Sequence, residues 1–394
     1  MITREALMVL ENNLTFTKGV NRQYDSQFAR AGAKIGDTLN VRKPPKYKGR
    51  IGAPMQIEDS VETSVPVVLN KQFGVDLAFS STELTLSIDD FRDRFIKPAV
   101  ARIANEIDFD GLAQYKNVYN SVGTPGTVPN AFLTYLQAGQ KLDEGATPYD
   151  DARSMIVNPR MQVTIVDQLK GLFQSSTEIS QQYRRGRMGI SAGFDWAMDQ
   201  NINVHTYGTY GGVPLTNGAT LSGATTLITD GWTASTPTLN VGDIFTVATV
   251  NSVNPMSGQV NPGTLQQFRV TAVTTTDAGG NMTISFAPPM ISSGANRTVS
   301  SMPADGAAIT VSGASGTLSP QGLAYHRDAF TLAMADLELP GGTDMAARVS
   351  DRQLGMSIRM VRQYTIATDQ FPARLDVLYG WATLRPEMAC RIAS

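Results

Sequence analysis

Residues 88–122 carry the pattern that most restricts the fold. Val100, Ile103, Ala104, Ile107, Gly111, Tyr115 and Val118 recur at helical spacing, while Arg102, Glu106, Asp110 and Lys116 lie off that line. Ser87, with Asp90 three residues later, resembles a capping box, and Asp89, Asp90 and Asp93 sit where a helix dipole is positive. Gly123 and Pro125 supply a stop. About 30 residues at 1.5 Å each make a rod of roughly 45 Å, longer than most helices in compact domains. Pro98 either kinks that rod or opens its main part as a first-turn proline. Phe109 and Leu112 lie off the stripe and imply a second packing partner. Taken alone, the stretch fits an ordinary long core helix equally well.

What flanks this rod is less compact in pattern. Residues 1–36 read as an arm, with Phe16, Val20, Tyr24 and Phe28 spaced near one helical turn and able to dock on another surface; a frayed terminus is the plainer alternative. Residues 37–80 read as a long two-stranded excursion. Leu39 and Val41 alternate with polar neighbours, Pro44-Pro45 ends that strand, and 46–60 is a polar, glycine-containing tip. On the return, Val65, Val67, Leu69, Phe73, Val75, Leu77 and Phe79 hold alternate positions, broken only by Lys71. That is about 15 residues of period-two text, roughly 50 Å of strand. A two-stranded ribbon of this length is marginal alone, so its apolar side must lie on the protein's own core or on a neighbouring subunit.

Beyond the rod, residues 131–142 and 160–173 have helical patterns, the latter with Met161, Ile165, Leu169 and Leu172 on one face. Between them Ser154-Met155-Ile156-Val157 reads as a buried strand and Asn158-Pro159 as a turn. The composition changes abruptly near Pro214. From there to Leu318 there is no lysine or glutamate, and the charged residues are Asp230, Asp243, Arg269, Asp277, Arg297 and Asp305. Residues 243–250, 267–275 and 282–287 are strand candidates, the last two joined by Asp277-Ala278-Gly279-Gly280-Asn281 as a hairpin. This predicts a small inserted all-β domain, a barrel or sandwich. In the tail, 326–337 reads as a helix. Two long strands follow, with Ile358, Met360, Tyr364 and Ile366 in one and Phe371, Leu375, Val377, Tyr379 and Trp381 in the other, before a short closing strand.

The bulk chemistry excludes several classes of protein. A net charge of −2 gives no global drive toward nucleic acid or an anionic membrane. One cysteine, Cys390, rules out an internal disulfide and is expected to be a small core residue. The N-terminal stretch lacks a signal-peptide layout, and no apolar run reaches the ~20 residues of a membrane span. A soluble protein made in a cytoplasm is expected. His205 and His326, the only histidines, have no Cys, Asp or Glu at metal-ligand spacing, so no metal site is expected. No nucleophile elbow, Walker A or dinucleotide fingerprint stands at a strand-to-helix junction, and no cofactor or enzyme activity is expected. The glycine-rich Tyr207-Gly208-Thr209-Tyr210-Gly211-Gly212 reads as a hinge, and Asp89-Asp90 and Asp150-Asp151 as helix-start charges. Two basic clusters remain: Lys43, Lys46, Lys48 and Arg50 at the ribbon tip, and Arg184, Arg185 and Arg187 in a glycine-containing loop. Each is either a contact with acidic groups of a neighbour or a solvated face. Neither has the interleaved aromatics of a nucleic-acid surface.

Five local motifs, in order, carry a likeness. Asp90-Phe91-Arg92-Asp93-Arg94-Phe95-Ile96-Lys97-Pro98-Ala99 leads into Ile103-Ala104-Asn105-Glu106-Ile107-Asp108. Then come Ile156-Val157-Asn158-Pro159-Arg160, and Gly189-Ile190-Ser191-Ala192-Gly193-Phe194-Asp195 with Asn203-Val204-His205-Thr206. Asn240-Val241-Gly242-Asp243-Ile244-Phe245 and Gly380-Trp381-Ala382-Thr383-Leu384-Arg385-Pro386-Glu387 complete the series. In this order the chain resembles the major capsid (coat) protein of tailed double-stranded-DNA bacteriophages, in the podovirus-type branch that carries an insertion domain. The resemblance implies an α+β tailed-phage capsid fold. Its parts would be an N-terminal arm (1–36), an extended β-loop (37–80), a peripheral domain with the spine helix (81–125), an axial domain (126–213), an inserted all-β, barrel-like domain (214–318) and a return to axial and peripheral domains (319–394). It further implies self-assembly into pentamers and hexamers of an icosahedral shell around viral DNA, bound without sequence specificity. A separate scaffolding protein is expected because the chain starts almost at the arm, with a portal protein, and a decoration protein allowed. The implied location is the virion, after synthesis in the bacterial host cytoplasm. Lys43, Lys46, Lys48, Arg50, Phe73, Arg184, Arg185 and Arg187 are the candidate intersubunit contacts. Lys43, Lys46, Lys48 and Lys71 are possible donors for the lysine–asparagine cross-link of some relatives, but no acceptor pattern accompanies them and none is expected to form. The alternative function is a host-surface or carbohydrate-binding phage protein that works through the β insertion, with Trp232 as its aromatic.

Overall fold

The structure is a computed structural model that describes residues 14–22, 38–47, 49, 52–55, 57, 62–80, 95–169, 189–234, 238–351 and 356–394. In chain order a 3₁₀ turn Phe16–Gly19 is followed by β1 (Thr38–Lys43), β2 (Thr63–Val68), β3 (Lys71–Ser80) and α1 (Lys97–Leu112). A second 3₁₀ turn Ala113–Asn117 leads to β4 (Ser121–Val122), α2 (Phe132–Glu144), β5 (Arg153–Val157) and α3 (Pro159–Leu169). Short strands β6 (Ile190–Ser191), β7 (Phe194–Met198) and β8 (Val204–Thr206) come next. The low-charge segment forms β9 (Gly212–Thr216), β10 (Ala224–Trp232), β11 (Thr238–Leu239), β12 (Ile244–Val253), β13 (Val260–Val270), β14 (Thr274–Thr275), β15 (Met282–Met290) and β16 (Ile309–Val311). The chain ends with β17 (Leu318–His326), β18 (Phe330–Ala335), β19 (Met345–Asp351), β20 (Met356–Arg362), β21 (Gln370–Thr383) and β22 (Ala389–Ala393). These elements form two compact bodies, one within 1–42, 64–112 and 330–384, the other within 43–63, 113–329 and 385–394.

In the first body β21 is the organising strand. It pairs antiparallel with β3 from Gln370↔Ser80 to Tyr379↔Lys71, with β18 from Phe330↔Thr383 to Ala335↔Leu378, and with β20, which in turn pairs β19. Helix α1 lays the expected stripe inward: Val100, Ile103, Ala104 and Ile107 are buried. At Gly111 the stripe meets Trp381 and Phe16; an added Cβ would lie 2.5 Å from the Trp381 ring, so only glycine fits. Phe16 stacks between Trp381 and Phe330, at 5.2 and 5.6 Å between ring centroids. Asp108, inside the same body, accepts the Thr15 N–H (2.6 Å), the Thr17 N–H (3.1 Å) and the Thr17 hydroxyl (2.6 Å). Arm residues Phe16 and Val20 are thus buried in this body, whereas Tyr24 and Phe28 lie outside the described residues.

The second body holds a mixed sheet of order β4-β22-β17-β5-β7-β6, with β8 also pairing β17. Helices α2 and α3 cover one face through Tyr135, Ala138, Leu142, Met161 and Ile165, against Met155, Val157, Phe194, Trp196, Ala324 and Cys390. Asn158 caps α3, its Oδ1 accepting the Met161 N–H at 2.7 Å. Cys390 is the expected core residue, its thiol pushed up to about 12 by burial. The low-charge segment is a six-stranded barrel of order β16-β12-β13-β15-β10-β9. It closes where Leu215 bridges Ala308, flanked by Thr216 N–H to Ala307 O (3.0 Å) and Gly306 N–H to Thr216 O (2.8 Å). Phe245, Phe268 and Phe286 pack mutually in its core.

Several expectations are corrected. The α-helix begins at Lys97, with Pro98 in its first turn, and ends at Leu112. Tyr115 and Val118 stay buried but sit on a 3₁₀ turn and beyond it, and Ser121–Val122 pairs parallel with β22. The stripe continues past the helix because both backbone forms place these side chains inward. The proposed cap at 87–93 lies outside the described residues. The return run of the ribbon is two strands: β2 pairs β1, and β3 joins the sheet of β21, with α1 packed on it. The expected helix at 326–337 is instead the end of β17, a 3₁₀ turn and β18. Phe330 to Met334 are all buried, so the run is apolar on both faces and shows no strand period.

Candidate assembly surfaces

The excursion that starts at Lys43 presents a mixed surface. Lys43 and Lys46 are half-buried; burial lowers the Lys43 pKa, with Glu387 opposing and Lys46 and Arg385 adding to it. Farther out, Tyr47, Met55 and Ile57 are 60%, 77% and 82% exposed. Lys48 and Arg50 lie outside the described residues, as do Arg184, Arg185 and Arg187. Sequence reasoning placed polar residues and glycines at this tip and overlooked the apolar side chains scattered among them.

Phe73, a candidate intersubunit contact, is already partly covered by its own chain. It is half-buried, with the Arg102 guanidinium 5.2 Å and Lys71 Nζ 6.0 Å from its ring centroid. Lys71 in turn reaches Glu106 (2.9 Å) and Asp110 (2.6 Å). An aspartate at position 73 would therefore meet two cations of its own chain, and such a variant does not isolate assembly.

No catalytic constellation emerges from the described residues. A cavity of about 430 Å³ in the second body is lined by Tyr149, Asp150, Asp151, Arg153, Ile190 and Asp195, among others. Its guanidinium is committed: Arg153 pairs with Asp143 at 2.7 Å and donates to the Thr147 and Pro148 carbonyls. His326 lies 3.2 Å from Asp150. Among the described residues no group of three or more His, Cys, Asp or Glu could hold a metal. Trp232 is 5% exposed, and its Nε1 donates to Thr229 Oγ1 at 2.8 Å inside the barrel, so it offers no stacking face to a sugar. The Tyr207–Gly212 segment is packed: a Cβ at Gly208 would fall 2.0 Å from the Thr238 carbonyl oxygen. His205, read from sequence as isolated, is hydrogen-bonded at both nitrogens to Asp243 and Tyr115.

A helix laid on a sheet of long strands, a helix-covered mixed sheet and an inserted barrel, with no metal cluster or catalytic constellation among the described residues, fit a tailed-phage capsid fold. In fold the chain is similar to a protein of Mycobacterium phage Che8, with a TM-score of 0.50 at 11% identity over 96% of this chain and 90% of that one. Weaker likenesses are to the capsid of cyanophage P-SCSP1u (TM-score 0.46, 10% identity, 91% of this chain and 83% of that one) and to the mature capsid of bacteriophage PhiM1 (0.44, 10%, 91% and 82%). No curated protein matches the chain. The family model described as P22 coat protein (gene protein 5) matches residues 5–391, and the chain belongs to that family. It is a major capsid protein, a structural component of the virion whose copies together form the shell.

Proposed function

We propose that copies of this chain close into pentamers and hexamers that tile an icosahedral shell around double-stranded DNA, each laying its 44–62 excursion over a neighbour. The observation that supports this is the exposure of Tyr47, Met55 and Ile57, which belong to no strand among the described residues. Three large apolar side chains on one excursion favour burial in an assembly. Repeated heterologous contacts with rotational closure give rings, and rings can tile a shell. Lys43, Lys46, Lys48 and Arg50 would flank that contact, Arg184, Arg185 and Arg187 would make ion pairs between subunits, and Phe73 would contribute its exposed edge.

In this reading residues 1–36 are the arm and 37–80 the extended loop. Residues 81–125 and part of 319–394 are peripheral, 126–213 axial, and the 214–318 barrel an insertion on the outer face. A separate scaffolding protein directs closure, a portal protein occupies one vertex, and a decoration protein is allowed. The subunit is made in the bacterial cytoplasm, and its net charge of −2 suits a container that holds DNA without gripping it.

Electron microscopy of the purified chain, alone and with scaffolding candidates, tests the assembly. Closed shells with pentameric and hexameric capsomers are expected. Met55→Asp with Ile57→Asp should leave the monomer's melting temperature within about 2 °C, since both residues are exposed, and should abolish closed shells. Normal shells from that variant would remove the excursion from the contact. A monomer under every condition would overturn self-assembly into capsomers.

A further inference from the structure

Strand β8 carries His205 into the interior of the second body, where the ring is held at both ends. Its Nε2 lies 2.8 Å from Asp243 Oδ1 and its Nδ1 3.0 Å from the Tyr115 hydroxyl. The other carboxylate oxygen, Oδ2, accepts the N–H groups of Gly208 (3.0 Å) and Asn240 (2.8 Å). A carboxylate only accepts, so the proton of a neutral ring sits on Nε2, and Nδ1 accepts from Tyr115. One neutral imidazole thereby ties three segments. They are the 3₁₀ turn Ala113–Asn117, the strand that runs on through Gly208 into β9, and the 240–243 turn that opens β12. The last two are the root of the barrel.

A second proton on Nδ1 would have only the Tyr115 oxygen to meet, and the Tyr115 hydrogen would lose its acceptor. On the 3₁₀ turn stand Tyr115 and Lys116, whose side chain reaches the same point beside Gly242 as His205 Cε1. Tyr207 packs edge-on at 4.6 Å between ring centroids. From β22, Arg391 is fully buried, donates Nη2 to the Gly242 carbonyl at 2.7 Å and lies 5.7 Å from the Tyr115 ring centroid, while its Nε and Nη1 have no hydrogen-bond partner among the described residues. On β17, Ser319 lies opposite His205, with buried Gln321 beyond it; both are neutral. Arg269 of β13 is farther out, 3.5 Å from the Lys116 carbonyl. Among the described residues Asp243 is thus the one anion facing the ring, against Arg391 and Lys116. Burial depresses the His205 pKa, Asp243 opposes that, and Arg391 and Lys116 add to it.

We propose that His205 is a proton-operated joint at the barrel root: neutral, it pins β8, the 3₁₀ turn and the start of β12 together, and on taking a second proton it gives up Tyr115 and loosens the root. The sign follows from linkage. A histidine whose folded pKa lies below its unfolded value of about 6.5 contributes stability that is complete above that pH and is lost as pH falls below it.

The test uses the full chain as a monomer, labelled with ¹⁵N-histidine and titrated from pH 8 to pH 4.5, with hydrogen exchange of segments 207–211 and 238–243 measured in parallel. There are only two histidines, so His326→Gln assigns the signals. His205 is expected to be the neutral Nε2–H form at pH 7. Between about pH 6.5 and the pH at which the folded ring titrates, protection of both segments, corrected for intrinsic exchange, should fall by up to about tenfold per pH unit, the slope of one linked proton, and level off below. His205→Gln, which does not titrate, should lack that step. Tyr115→Phe, which frees Nδ1, should move the step to higher pH, and this holds as a test if the glutamine variant fails to fold. Titration of His205 without a change in protection, or an unchanged step in His205→Gln or in Tyr115→Phe, would overturn the joint.

Discussion

Replacing Asp376 by alanine should unfold the first body at a markedly lower temperature. The carboxylate is wholly buried on β21 and takes a forked contact from Arg359, Nε to Oδ1 at 3.0 Å and Nη2 to Oδ2 at 2.6 Å. Gln72 of β3 donates to Oδ2 at 2.7 Å, and Arg374 Nε lies 3.3 Å from it. The one group therefore joins β20, β21 and β3 in the register Arg359↔Asp376↔Gly74. In Asp376→Ala the Arg359 guanidinium, with 14% of its side chain exposed, keeps only the Glu338 carbonyl among the described residues. Removing one partner of such a pair costs about 3–5 kcal/mol. For a body of this size each kcal/mol moves the midpoint by roughly 2–4 °C, so a drop of about 6–20 °C is expected by calorimetry of the monomer. The double variant Asp376→Leu, Arg359→Met removes both charges and should recover most of the loss. A drop under about 2 °C for the single variant would show that the pair's contacts only offset its desolvation, and the argument for β21 as the anchored centre would fail.

Gly208→Ala pushes a methyl into the Thr238 carbonyl and should cost on the order of 3 kcal/mol in the second body, read as a lower midpoint in urea. Trp232→Phe deletes the bond to Thr229 and should cost about 1 kcal/mol while leaving retention on immobilised glycans unchanged; loss of such retention would revive a surface role for this tryptophan. Burial works against the charges of Lys71 and Glu106, but their mutual contacts, with Asp110 and Arg102, outweigh it, raising the lysine and lowering the glutamate. The glutamate's contribution is present above its unfolded pKa and is lost as pH falls through the folded value, and the lysine's is lost only as pH rises through its own. These groups are partly exposed, so Glu106→Gln should cost under about 1 kcal/mol, and less in high salt. Lys71 stays an ammonium and is a poor nucleophile, and no acceptor pattern accompanies Lys43, Lys46, Lys48 or Lys71, so denaturing gels of assembled particles should show single-chain bands; ladders would refute this.

The features legible in the sequence were those with one wet and one dry face. Phe73, Val75, Leu77 and Phe79 alternate because β3 is half-buried, Met161 and Ile165 mark α3 by helical spacing, and the charge-poor text from Pro214 marks the barrel. Where both faces are dry the period vanishes, which is why β18 read as a helix. Where a stripe passes from α-helix to 3₁₀ turn the side chains stay inward, which is why α1 read ten residues too long at its end (112 against 122). At the candidate surfaces, the basic residues were visible from sequence, but the exposure of Met55 and Ile57 and the packing of Phe73 under Arg102 were not.

Amino-acid order alone therefore determined many of the local periods and turns and marked the charge-poor segment that forms the barrel, because these depend on residues a few positions apart. It also placed the five motifs whose sequence along the chain pointed to a coat protein, and the family match over 5–391 bears that out. Which strand pairs with β21, whether β9 and β16 close the barrel, and that Tyr115, His205, Asp243 and Arg391 meet were decided by the tertiary structure. Those contacts join residues far apart in the chain, and only the packing of sheet, turn and barrel around a shared interior brings them within hydrogen-bond reach.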